Sequence, residues 1–146
     1  MSRTRASLSF FGDNLDPDEI SVLLGASPTS SARMGEAWVT PSDVESKSTA
    51  RTGRWQREVA PRRPGDLDSQ ISELLSPLTP DIEVWRGLAA KFSARIFCGL
   101  FTEEGNEGFD LRPETLVMIA SRGLRLGFDI YGPPSLEVEE PQGAQI

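Results

Sequence analysis

A chain of 146 residues, 38% hydrophobic and 25% charged, has the make-up of one globular domain. Its net charge of −7 argues against general nucleic-acid binding through phosphate neutralisation. The absence of histidine removes Ser-His-Asp and Cys-His nucleophilic catalysis and every His-based zinc or iron site.

No apolar run approaches the ~18 residues of a membrane span, and no signal-peptide core follows Arg3 and Arg5. A single cysteine, Cys98, excludes an internal disulfide framework, so a cytoplasmic setting is expected. The expected organisation is a disordered start over 1–5, a single α+β domain over 6–133 with a flexible loop at 41–50, and an acidic disordered tail over 134–146.

Ala6 to Gly12 alternates as a first strand, with Ala6, Leu8 and Phe10 on one face. Asp16 then reads as the N-cap of a helix, with Pro17 at its first position. Ile20, Leu23 and Leu24 form the buried face of that helix, and Gly25 stops it. Ala26 to Gly35 is a Ser/Pro/Thr loop, and Trp38-Val39-Thr40 a short strand. Arg51 to Val59 makes the next strand, broken by Pro61-Arg62-Arg63-Pro64-Gly65. Leu67, Ile71, Leu74, Leu75 and Leu78 mark an amphipathic helix entered by Asp66, and a further helix begins at Asp81.

Ile96 to Phe101 is apolar on both faces, which predicts a central strand covered on both sides. A Gly-rich turn leads to Phe109-Asp110-Leu111, which resumes alternation and predicts a hairpin. Pro113 opens a helix that Gly123 ends, and Leu124, Leu126, Phe128 and Ile130 share one face of a last strand. The order β-α-β-β-α-α-β-β-α-β predicts a mostly antiparallel sheet with helices chiefly on one face, a ferredoxin-like βαββαβ order extended by a β-α-β unit.

The blocks Leu8-Ser9-Phe10-Phe11-Gly12-Asp13, Leu15-Asp16-Pro17, Arg51-Thr52-Gly53-Arg54-Trp55, Phe97-Cys98-Gly99-Leu100-Phe101, Gly108-Phe109-Asp110-Leu111 with Pro113-Glu114, and Leu126 to Gly132 stand in this order. Together they resemble a bacterial family known as domain-of-unknown-function family 4279, from about Ala6 to Pro133. The resemblance implies a coherent fold and no assigned reaction. The chain departs from the family pattern at Arg112, where a small capping residue such as Ser is usual.

Charge is uneven. Residues 33–63 carry seven basic and four acidic side chains, so that segment is +3 and the remainder −10. Within it, Arg51, Arg54 and Arg57 with Trp38 and Trp55 are candidates for an anion-binding face, because guanidinium forks bind carboxylates and stack on indoles. The plainer alternative is a solvated strand face with packed tryptophans. Strand alternation also puts Arg51 and Arg54 on opposite faces. Glu103, Glu104, Glu107 and Asp110 around the Gly-rich turn, with Asp129, are candidates for an acid/base pair or a hard-metal site, against the favoured alternative of a soluble turn. Cys98, in an apolar strand, should have a raised pKa and serve packing. No cofactor or metal site is expected.

Three functions follow as expectations. The first is a non-catalytic protein-binding module, most concretely an acidic immunity-type protein that neutralises a toxin, with a basic partner encoded nearby. The alternative is a small-ligand binder or enzyme acting on an anionic metabolite through the Arg/Trp face. The third is a structural homo-oligomer joined through an exposed edge strand.

Overall fold

The computed structural model describes residues 1–40 and 48–133. Alternation along β1 (Arg3–Gly12) sets the architecture: Thr4, Ala6, Leu8 and Phe10 are buried on one face, while Arg3, Arg5, Ser7, Ser9 and Phe11 take the other. β1 pairs antiparallel with β3 (Gly53–Glu58) on one side and β4 (Ser93–Phe101) on the other. β2 (Ser30–Ala32) adds to β3, and β5 (Arg125–Tyr131) adds to β4 in parallel, giving the order β2-β3-β1-β4-β5. The fold is thus α+β with a five-stranded, mostly antiparallel open sheet.

Four helices, α1 (Pro17–Leu24), α2 (Leu67–Leu75), α3 (Ile82–Lys91) and α4 (Pro113–Ser121), complete the described chain. Ile20, Leu24, Ile71, Leu74, Trp85 and Leu88 from the helices join Leu8, Phe10, Trp55 and Ile96 from the sheet in one core. Phe10 sits between two tryptophans, with ring centroids 5.8 Å from Trp55 and 6.3 Å from Trp85. Burying such large rings is the main drive for this layer to close. None of the described helices is long and apolar enough to cross a membrane.

The helix entries follow their sequence signals. Asp16, Asp66 and Asp81 each accept a hydrogen bond from a backbone N–H of their own first turn, and Gly25 takes the left-handed conformation (φ 76°) that stops α1. Arg112 supplies no side-chain cap to α4. Its backbone N–H and Nε instead donate to Asp68, at 2.9 and 2.7 Å, which ties α4 to the first turn of α2. A buried polar knot fixes the segment before α2. The Thr4 hydroxyl donates to Gln70 and accepts from the Asp66 N–H, while Gln70 Nε2 donates to the carbonyls of Thr4 and Ala60. Every polar atom of that pair is used, so its burial is tolerated.

Five expectations need correction. The first strand begins at Arg3, inside the stretch expected to be disordered, because Arg3 pairs with Phe101 across the ladder. A short strand, β2, lies in the Ser/Pro/Thr loop, whereas Trp38-Val39-Thr40 forms only an isolated bridge from Val39 to Ser31. Phe109-Asp110-Leu111 forms no strand. The β4 edge it would need is taken by β5, and the Thr102 N–H donates to Tyr131 at 2.9 Å. The connection from β4 therefore crosses through α4 and returns parallel. Finally, among the described residues the helices cover β4 on one face alone: Phe97 and Phe101 lie on the side away from them and remain half-buried. Of the loop expected at 41–50, residues 41–47 lie outside the described residues, and Ala50 is buried and bonded to Gly35 and Glu36. The expected tail at 134–146 also lies outside them.

Candidate functional site

Because all four helices pack on one side, the opposite face of the sheet is open, and the strand registers dictate what it displays. Arg54 stands beside Phe11, and Gln56 beside Ser9 and Arg95; Glu58, Ser7 and Phe97 form the next row. Arg5 with Gly99 and Asp129, then Arg3 with Phe101 and Tyr131, complete the face. With Arg125 opposite Arg95, it carries five guanidinium groups against the carboxylates of Glu58 and Asp129, on a chain whose net charge is −7. The molecule concentrates positive charge on the one layer its helices leave bare.

Two of those cations share one aromatic ring. The Arg54 guanidinium lies 4.9 Å from the centroid of Phe11 and 5.3 Å from that of Trp38. Arg95 lies 5.8 Å from Phe11 and 4.7 Å from Phe97. Among the described residues no carboxylate comes within ion-pair distance of either. Arg54 donates to Gln56, whose Nε2 donates to Glu58, and Glu58 faces Arg5 at 3.8 Å. The Nε atoms of Arg54 and Arg95 are both shielded from water and lack a partner. Burial pushes the Arg54 pKa below its ordinary value, and the positive charge of Arg95 pushes it further. The Glu58 carboxylate, beyond Gln56, offsets this only in part, so the pair is a net positive centre resting on aromatic rings.

That centre opens into a groove of about 320 Å³, lined by Arg5, Ser7, Ser9, Arg54, Gln56, Glu58, Arg95, Phe97, Gly99, Phe101 and Tyr131 among others. Such a volume is near the lower end of small-molecule sites. Gly99, between Phe97 and Phe101 on the same strand, contributes no side chain, which keeps the floor of the groove low. The far wall is aromatic: Phe101 stacks on Tyr131 at 4.8 Å, and Arg3 covers Phe101 at 4.7 Å. A second hollow of about 350 Å³, lined by Phe11, Ser93, Arg95, Arg125, Leu126 and Gly127, shares Arg95 with the first.

Of the residues singled out from sequence, the structure brings Arg54 and Trp38 together at the positive centre. Trp55 is fully buried on the helix side, with its indole N–H donated to Ser21 at 3.0 Å. Arg57 shares the Trp55 face and reaches the Leu74 carbonyl at 3.4 Å, and Arg51 is exposed outside β3. Glu103 and Glu104 are exposed, their backbone N–H groups donating to Glu107 at 2.6 and 2.8 Å; Asp110 lies in the connection to α4. None of these three belongs to the groove. Cys98 is fully buried, and burial pushes its thiol up to about 12. No cluster of three or more metal-ligating side chains forms among the described residues.

Sequence reading missed Arg95, Phe97, Phe101, Arg5 and Tyr131. The available signal was an arginine set inside an apolar strand, Ala94-Arg95-Ile96-Phe97, which a strand covered on both faces would not tolerate unpaired.

Comparison with known families matches residues 2–133 to the model described as Domain of unknown function (DUF4279). No curated protein and no protein of solved structure is significantly similar to the chain.

Proposed function

From the chain's membership of the DUF4279 family, which carries no assigned activity, and from the geometry of the open face, we propose a non-catalytic binding module for an anionic small molecule. One observation carries the reading: Arg54 and Arg95 hold two positive charges over a single phenyl ring, half-buried, with no carboxylate at ion-pair distance among the described residues. An arrangement that repels itself in the empty protein is stabilised by an incoming anion. Guanidinium groups suit carboxylate and phosphate oxygens, and the Phe97–Phe101–Tyr131 wall suits a flat apolar body attached to them. Gln56, Ser7 and Ser9 supply hydrogen-bonding groups along the same floor.

A thermal-shift titration against aromatic carboxylates, phosphate monoesters and matched neutral amides or alcohols tests it. An anion bound only by the folded state raises Tm as its concentration rises, and the neutral analogues do so less or not at all. Equal responses to charged and neutral members, or no response at millimolar ligand, would refute it.

A second reading, the toxin-neutralising immunity-type partner, draws support from the charge segregation. A basic open face on an acidic body would orient an approaching protein and favour one docking pose. Co-purification with the product of the neighbouring gene tests it, and persistence of that product's toxicity in the presence of this chain would exclude it.

A further inference from the structure

β5 is the outermost strand on its side of the sheet. Among the described residues no strand pairs with its outer edge. The strand is seven residues long and holds no proline, so nothing in it blocks a second ladder. On its helix-side face Leu126 packs against the core, but the residues beyond it are apolar and exposed: Ile130 is 69% and Phe128 39% exposed, and Phe109 adds a ring at 5.8 Å from Phe128. α4, which leads into β5, buries Thr115 and Ile119 and leaves Val117 facing solvent.

We propose that two copies of the chain join edge to edge through β5, antiparallel about a two-fold axis at Gly127, making one ten-stranded sheet across a homodimer. The charge pattern selects this occupant. In that register Arg125 stands opposite Asp129 of the partner subunit, and the two-fold repeats the pair. Leu126 meets Phe128 of the partner subunit on the helix-side face, extending the apolar layer. Gly127 meets its own copy at the centre, where a missing side chain permits close approach of the backbones. A shift of one residue in either direction would leave both charges without their directly opposite partner, so the strand specifies its own alignment.

The test is static light scattering after size exclusion over a wide range of concentration, with the full chain. Wild type is expected to move from the monomer mass of 16.0 kDa towards twice that value as concentration rises. Asp129→Arg places like charges opposite each other and should weaken association by about tenfold or more, and Arg125→Asp/Asp129→Arg should restore it. Ile130→Lys, which spares both charges, should also give monomer, with circular dichroism and Tm showing that each variant is folded. A wild type that stays monomeric at every concentration, or a double variant no better associated than Asp129→Arg, would overturn the proposal.

Discussion

Glu107 is the most perturbed carboxylate of the described chain, and its surroundings explain why. The N–H groups of Glu104 and Glu103 both donate to it, and the terminal amino group of Met1 lies 3.1 Å away, which holds its pKa down to about 2. A folded-state pKa below the ordinary value means that the ionised form stabilises the turn above about pH 4.5, the unfolded reference. That contribution fades as pH falls towards 2. Carboxyl titration by NMR should place Glu107 well below the ordinary glutamate value, and amide exchange at Glu103 and Glu104 should accelerate as the carboxylate is protonated. An ordinary midpoint for Glu107 would show that the turn is not held this way. At the same scale, Arg54 was readable as a candidate because it stood in a basic segment beside tryptophans. Arg95 was not, because its partnership with Arg54 runs through Phe11 and depends on a register that brings three distant segments together.

Among the elements, β1 and β3 meet at their ends where Gly12 faces Gly53. A side chain at Gly53 would place its Cβ 2.6 Å from the Gly12 carbonyl and 2.9 Å from Leu15 Cβ. Gly53→Ala should therefore pry β3 from β1 and destabilise the fold by about 1–3 kcal/mol, measured by denaturant unfolding. A change within error would mean the strands yield freely there. Three of the helices were legible because each combines an acidic cap with a 3.6-residue apolar period, as in Asp66 followed by Leu67, Ile71 and Leu74, and α4 because Pro113 opens it. β2 was not legible. Ser30-Ser31-Ala32 has no alternation of its own and becomes a strand by pairing with Gln56, Trp55 and Arg54. β4 misled for the opposite reason. Apolar residues on both faces usually mean cover on both sides, yet here Phe97 and Phe101 furnish the wall of an open groove.

For the whole molecule, four helices cover one face of the sheet and leave a basic, aromatic surface on the other, against a net charge of −7. Unpaired half-buried cations reduce stability unless something negative joins them, and such local cost is common where a protein binds. Arg95→Met is the most direct probe, since methionine keeps the apolar contact with Phe11 and Phe97 while removing the charge. The measurement is Tm with and without the anions that stabilise wild type. The account predicts that Arg95→Met leaves the empty protein as stable as wild type or more so, and that the anion-dependent rise in Tm is lost. A variant less stable when empty that keeps the full anion response would contradict it.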